Sequence, residues 1–334
     1  KQKMLKITFI NVGYGDSILI EELNDSKPIF SMLIDGGVPY MGMYCDSYDC
    51  SPGRIPPFKY LQSRRIQSLD VLFLSHLHID HVGGMPEVMQ TCKFGYIWSS
   101  CKLNELDYLD NLNRAHIDNR IAKEMRTSLN LLADMQRIAN INGKEIEVVG
   151  KRLATVELTD KLQANIFEVD PFLVSRTEKM VNNLLNGTDQ KAEKILMELD
   201  EIENNSSVAL QLKYGDVKIL LPADLPSSFW RRYNKEPYSL KADILKIPHH
   251  GQADSMTKRL AGAINPTHAI VSVSRDNPFG APVPEVLSMF DSKTNFWVTD
   301  NIEMPPYFRQ TGPHRAVLFE IQEDGSICAM NEPA

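Results

Sequence analysis

One short run constrains this chain more than any other: Ser75-His76-Leu77-His78-Ile79-Asp80-His81-Val82-Gly83-Gly84. Three of the eight histidines and one carboxylate fall within six positions, directly after the apolar residues 71–74. Imidazole and carboxylate are the ligands a borderline cation such as Zn²⁺ prefers. Side chains at i and i+2 of an extended segment share a face, so His76 and His78 can reach one ion. The chain then turns into a helix start, which redirects Asp80 and His81 toward a second ion a few ångströms away. Gly83-Gly84 permits the turn and a close backbone approach.

Two further fragments fit as completing pieces. Leu220-Leu221-Pro222-Ala223-Asp224 is a strand ending in a carboxylate, which could bridge two cations. Taken alone, such an Asp is more often a helix N-cap. Ile247-Pro248-His249-His250-Gly251 places paired imidazoles at another strand end. Taken alone, that pair is as well explained by a role without metal. His116, His268 and His314 have no partners at ligand spacing and read as structural or surface residues.

The rest of the chain reads as strands, then helices, then strands. A hairpin opens it, with strands over 6–10 and 17–21, and a third strand over 30–34 ends in Asp35-Gly36-Gly37. A helix is expected over 58–65 and a buried strand over 70–74. Ile117, Ile121, Met125, Leu129, Leu132, Met135 and Ile138 recur every three or four positions. That spacing predicts a long amphipathic helix ended by Asn142-Gly143. Short strands are expected at 145–149, 154–158 and 166–169, and a helical stretch over 172–201 broken at Asn186-Gly187. Val208, Leu210, Leu212 and Tyr214 alternate with other residues as in a half-buried strand, and residues 217–221 run back from the Gly215-Asp216 turn. Strands at 243–247, 268–274, 295–299 and 315–321 follow, with helices at 226–234, 254–264 and 284–291. Strand pairs mixed with helices suggest two packed sheets with helices outside.

Composition excludes several classes. Hydrophobic residues at 43% and charged residues at 24% of 334 are globular values and rule out disorder of the whole chain. The net charge of −7 argues against a broad basic face that wraps nucleic acid. Arg64-Arg65, Lys123, Arg126, Arg231-Arg232 and Lys258-Arg259 are candidate phosphate contacts, each better explained as a solvated charge. No apolar run approaches the ~18–20 residues that span a bilayer, and no membrane partner is expected. No leader is evident at the first residues. The five cysteines, Cys45, Cys50, Cys92, Cys101 and Cys328, are odd in number and scattered, which suits reduced thiols and a cytoplasmic location. Cys45 and Cys50 read as loop thiols rather than as half of a metal site.

In order, these fragments resemble the metallo-β-lactamase superfamily, whose signature is His76-x-His78-x-Asp80-His81. Within it the chain is most similar to the hydrolase domain of ComEC-type competence proteins and their soluble relatives. Asn11-Val12-Gly13-Tyr14-Gly15-Asp16-Ser17, Leu33-Ile34-Asp35-Gly36-Gly37, Asn204-Asn205-Ser206-Ser207-Val208, Lys246-Ile247-Pro248-His249-His250-Gly251 and Asn277-Pro278-Phe279-Gly280 carry the likeness. It implies an α+β fold, a four-layer αββα sandwich with the metals at one edge. The whole span 1–334 would then be one hydrolase domain, with helical insertions at about 103–142 and 172–201.

The resemblance assigns His76, His78 and Asp224 to one divalent ion and Asp80, His81, Asp224 and His250 to the other. The ions would be zinc or manganese, one or two in number. His249 would face the substrate, while Asp35, Asp16 and Asn205 would orient ligands from outside. The chain departs from the pattern in four places. Asn204-Asn205 stands where most members carry a third His for the first ion. Ala281 stands where the branch often has His, Asn11 where it often has Asp, and Tyr14 where it often has Gln.

The expected activity is hydrolysis of a phosphodiester by a metal-bound water that loses its proton near neutral pH, with Asp80, His249 and Asp224 carrying the chemistry. The substrate would be small and anionic. Nucleic acid enters by family likeness alone. A thioester, lactone or other carbonyl-ester hydrolase is the rival reading, and it usually wants the full His set. A metal-retaining sensor or binding module, with helix 117–138 as a partner surface, is a third; such stripes are usually core.

Overall fold

A computed structural model describes residues 3–40, 48, 51–104, 109–185, 189–233, 239–276, 279–309 and 312–334. Cys45, Cys50, Asn186-Gly187 and Asn277-Pro278 lie outside these residues. Six strands come first: β1 (Lys3–Ile10), β2 (Ile18–Asn24), β3 (Lys27–Ile34), β4 (Ser68–Leu74), β5 (Lys93–Ser99) and β6 (Ile146–Val148). They are followed by β7 (Ala154–Glu157), β8 (Leu162–Ile166), β9 (Leu210–Tyr214), β10 (Val217–Leu221), β11 (Ile244–Lys246), β12 (His268–Val271) and β13 (Asn295–Val298). Finally β14 (His314–Gln322) and β15 (Ile327–Pro333) return to the first group.

One sheet runs β15-β14-β1-β2-β3-β4-β5-β6 and the other β13-β12-β11-β10-β9-β8-β7. Both are mixed. β3 through β6 pair in parallel, as do β10 through β13, while the rest pair antiparallel. The helices are α1 (Pro57–Ser63), α2 (Ile79–Val82), α3 (Met85–Thr91), α4 (Leu109–Arg114), α5 (Arg120–Ile141), α6 (Pro171–Leu185), α7 (Asp189–Glu203), α8 (Lys258–Ile264) and α9 (Pro284–Leu287).

The period-two alternation of strand side chains builds the layers. Leu5, Ile7, Phe9, Ile18, Ile20, Val71 and Phe73 of the first sheet join Leu210, Leu212, Ile219 and Ile244 of the second in one core between the sheets. The neighbours Leu19, Leu33, Leu72 and Leu74 point the other way, onto Met85, Met125, Leu129, Leu132, Leu196 and Leu199 of the helices. Leu220 and Leu245 likewise point outward onto Leu260, Ile264 and Leu287. The result is the expected αββα sandwich, the metallo-β-lactamase fold. Among the described residues no helix is long and apolar enough to cross a membrane.

The long helix is α5. Asn119 caps it by accepting from the Ile121 and Ala122 amides, and the chain leaves it at Asn142-Gly143, with Gly143 at φ 65°. Most of its apolar stripe, Met125, Leu129, Leu132 and Met135, faces the core, while Ile121 near its start is exposed. Several elements depart from the sequence reading. β8 begins at Leu162 rather than at 166, because the small Ala164 sits among the inward residues and hides the alternation. β5 and α3 were not anticipated. In β5 a Cβ at Gly95 would lie 2.5 Å from the Asp70 carbonyl oxygen, so close strand packing rather than pattern defines it. β15 is an unanticipated edge strand, only partly buried. The helix expected at 226–234 is a single tight turn, Phe229–Arg232, held by ring packing of Trp230 and Tyr233 on Phe167. The Met304–Phe308 loop closes on itself through a β-bridge and packs on the outer core of the second sheet, away from the cleft described below.

Candidate metal centre

The chemistry-bearing residues sit past the C-terminal ends of neighbouring strands. Asp35 follows β3, His76 follows β4, Asp224 follows β10, and His249-His250 follow β11. Parallel strands that end together deliver these side chains to one edge, the usual place for a site in such sheets. The connecting turns are strained. Asp35, Ala223, His249 and His250 hold φ of 58°, 50°, 46° and 51°, a left-handed conformation costing of order 1–3 kcal/mol at a non-glycine residue. Four such residues within one site indicate that side-chain placement outweighs local backbone preference.

The opening motif and the metal-loop glycines press together here. A Cβ on Gly15, at φ 103°, would stand 2.0 Å from the Asp80 carbonyl oxygen, which instead accepts from the Asp16 amide at 3.1 Å. A Cβ on Gly84 would stand 2.4 Å from the Gly36 carbonyl oxygen.

Asp80, His81, Asp224 and His250 converge, fully buried, with one ligand atom from each within 4.8 Å of all the others. His250 Nε2 lies 3.2 Å from both Asp80 Oδ2 and Asp224 Oδ2, and His81 Nε2 lies 3.3 Å from Asp224 Oδ2 and 3.7 Å from Asp80 Oδ2. Neither Nε2 makes a hydrogen bond. Two ligands bound tetrahedrally at 2.0–2.1 Å stand about 3.3 Å apart, so these spacings match the edges of a coordination shell.

The outward nitrogens complete the pattern. His81 Nδ1 is 2.8 Å from Asp35 Oδ2, and His250 Nδ1 is 2.8 Å from the Ser272 carbonyl oxygen. His76 Nδ1 meets Ser75 Oγ at 3.0 Å, and His78 Nε2 meets the Asp200 carbonyl oxygen at 3.2 Å. Each imidazole is thus tied outward by one nitrogen and presents the other inward, the arrangement that orients metal-binding histidines. Asp35 also accepts from the Ser75 amide and hydroxyl, at 2.8 and 2.7 Å. It therefore fixes the start of the loop as well as His81.

Electrostatics agree with a cation site. Burial alone would lower the His250 pKa, but Asp224 and Asp80 lift it to about 10. Burial opposes protonation of His81 too, and Asp224, Asp80 and Asp35 outweigh it and raise its pKa well above the usual imidazole range. Burial would raise Asp80, yet His81 and His250 bring it down to about 2. Asp224 is held well below the carboxylate range because His250, Lys246 and His81 outweigh its burial. The negative field that holds protons on two imidazoles is the field a divalent ion would neutralise in their place.

His76 and His78 form a separate pair. His76 Nε2 and His78 Nδ1 stand 3.2 Å apart, but the convergent cluster does not include them. His76 is buried against His81, with ring centroids 4.1 Å apart. Burial and the neighbouring His81 and His78 push its pKa well below the usual value, so it is a neutral imidazole. His249 lines the cleft above, its Nδ1 tied to Asp254 at 2.8 Å and its Nε2 3.2 Å from the Asn204 amide nitrogen. Asn204, rather than the expected Asn205, reaches the site from this turn.

Sequence reasoning missed Lys246. It is fully buried at the end of β11, with its ammonium 2.5 Å from Asp16 Oδ2, 3.1 Å from Asp224 Oδ1 and 3.1 Å from the Ala223 carbonyl oxygen. It takes up Asp16, and it leaves Asp224 Oδ2 facing the imidazoles. A Lys within an apolar strand ending before His-His is the signal that could have found it.

The helices contribute as well. α7 places Asp200 and Glu203 one turn apart, and Glu203 Oε2 accepts from the Leu77 amide between His76 and His78 at 3.3 Å. α5 supplies Arg120, Ile121, Glu124, Met125 and Ser128 to a cleft of about 400 Å³ that also reaches Tyr14, His78, Asp80, Asp200 and Asp224. None of the basic residues singled out from the sequence lines it. Arg64 pairs with Glu332, and Arg232 lies over the Phe229 and Tyr233 rings.

Parts of the chain are similar to known proteins. Residues 10–111 match the family model of the metallo-beta-lactamase superfamily. ComE operon protein 3 of Bacillus subtilis is 30% identical over 87 residues, which cover 26% of this chain and 11% of that protein. Among solved structures, a diphosphatase from the PhnP family aligns over 96% of this chain and 99% of its own, at 11% identity and a TM-score of 0.39. A long form RNase Z from yeast aligns over 99% of this chain and 50% of its own, at 9% identity and a TM-score of 0.40.

Proposed function

We propose that this chain, with its metallo-β-lactamase fold and the metal-binding signature of that superfamily, is a metal-dependent hydrolase that cleaves phosphodiesters. The observation that carries the reading is the buried convergence of Asp80, His81, Asp224 and His250 beneath an open cleft, with both imidazole Nε2 atoms left without a hydrogen bond. These four residues would hold a divalent ion, zinc or manganese. His76 and His78 offer two nitrogens for a second ion, joined by Asp224. When bound, such ions supply Lewis acidity toward a phosphoryl oxygen and toward water.

The chain's own groups do the rest. Asp224 is held on one oxygen by Lys246 and turns the other toward His250, where it would be a ligand to the ion. Asp35 and the Ser272 carbonyl oxygen fix the two imidazoles. His249 is held by Asp254 through Nδ1 and meets the Asn204 side chain through Nε2; a non-bridging phosphoryl oxygen would take the place of Asn204 at that nitrogen. Tyr14 lines the same cleft. Its phenol would donate a hydrogen bond to the departing oxygen, a contact Ala281 cannot make.

Phosphodiester is favoured over thioester or lactone because the chain carries Asn204-Asn205 where a further imidazole would complete the set at the first ion. The test is metal content together with hydrolysis of bis(p-nitrophenyl) phosphate, with His76→Ala and His250→Ala as controls. Activity lost with chelator, restored by zinc or manganese and absent in His250→Ala is expected. Full metal loading with hydrolysis of thioesters or lactones alone would overturn it. Metal retained without any hydrolysis would point to a sensor.

A further inference from the structure

The cleft floor is polar, but its lip is not. The Tyr14 and Phe279 rings lie 4.9 Å apart, tilted by 35°, and Ile121 of α5 lines the same space. Phe279 is 50% exposed and Ile121 43% exposed. Gln252 Nε2, from the loop that carries His249 and His250, donates to the Phe279 carbonyl oxygen at 3.4 Å. A half-exposed ring resting on a second ring, at the mouth of a charged site, offers a free face to a flat partner.

Charge narrows the partner. Glu124 and Asp200 both line the cleft, and the guanidinium of Arg120 is already engaged with Glu124 at 3.1 Å. A polyanion entering here meets two carboxylates against one paired cation, while a single negative charge can settle at the ion site below. The volume of about 400 Å³ lies near the low end of small-molecule sites.

We propose that Phe279, Tyr14 and Ile121 form a subsite for a planar ring, selecting small monoanionic phosphodiesters with an aryl or nucleobase substituent over alkyl esters and oligonucleotides. The proposal rests on the hydrolase reading for where the phosphoryl group sits. Ring stacking, in turn, is tolerant of which ring is offered.

Phosphinates separate the two ideas, because they carry one negative charge and no ester bond. Calorimetry on the zinc-loaded protein would compare methyl(phenyl)phosphinate with dimethylphosphinate. The aryl probe should bind about tenfold tighter. Phe279→Ala and Ile121→Ser should each shrink that ratio at least about threefold, leave dimethylphosphinate binding unchanged, and keep the melting temperature close to wild type, since both side chains are about half exposed. A twelve-residue oligothymidylate should bind no tighter than dimethylphosphinate. Equal affinity for the two phosphinates, no binding of either, a ratio indifferent to Phe279→Ala, or tighter binding of the oligonucleotide would each overturn the subsite. Hydrolysis of bis(p-nitrophenyl) phosphate with equal phosphinate binding sinks the subsite alone. Intact aryl preference without hydrolysis sinks the hydrolase reading alone.

Discussion

Replacing Lys246 with methionine tests whether an internal ammonium organises the site. The side chain is fully buried, 2.5 Å from Asp16 Oδ2 and 3.1 Å from Asp224 Oδ1. At an effective dielectric of ~20 each pair attracts by about 5–7 kcal/mol, most of it offset by desolvation. Removing the cation does not recover that desolvation, because both carboxylates stay buried. Breaking such a pair costs about 3–5 kcal/mol. With unfolding entropy near 2.1 cal/mol/K per residue, this chain changes by about 0.7 kcal/mol per degree. Lys246→Met should therefore lower the melting temperature of the chelator-treated protein by about 4–7 °C.

The Lys246 pKa is raised: burial opposes its charge, but Asp16 and Asp224 prevail. A raised folded pKa means the contribution is fully present below the unfolded value of about 10.4 and lost only above it. The deficit should accordingly be the same at pH 6.5 and pH 8.5. Neutralising one orphaned carboxylate as well, in Asp16→Asn with Lys246→Met, should recover at least about 1.5 kcal/mol relative to additivity. A single-variant loss under about 1 kcal/mol, or strict additivity in the double variant, would refute the reasoning.

Three further outcomes follow from the same site. Metal affinity should rise with pH from about 6.5 toward 10, because His81 and His250 must shed protons to bind; proton release measured by calorimetry in two buffers checks this, and a pH-independent affinity would contradict it. In the metal-free protein those two raised pKa values give stability that is complete below about pH 6.5 and fades as pH climbs toward 10, so chemical denaturation should show a weaker fold at pH 9 than at pH 6. Gly15→Ala should destabilise by several kcal/mol, since its Cβ would stand 2.0 Å from the Asp80 carbonyl oxygen at a φ of 103°; a variant melting within a degree or two of wild type would show that the opening motif yields more readily than its packing suggests.

Local spacing made much of this protein legible. The His76-x-His78-x-Asp80-His81 run after a buried strand announced a metal loop, because ligand type and i, i+2 geometry are properties of a few consecutive residues. Strand alternation and the periodicity of α5 announced the layers for the same reason. Tertiary structure alone decided the rest. Lys246 looked like one more strand residue until the turns from three strand ends brought Asp16 and Asp224 around it. Arg120, not any of the paired arginines, reached the cleft, because helix orientation rather than charge density sets what a side chain can touch. Asn204 displaced Asn205 by the pitch of one tight turn, and the Asp200 carbonyl became the anchor of His78 through a helix that carried no motif. Sequence records which groups are available, while their separation in space depends on chain paths over a hundred residues long, and that no local pattern encodes.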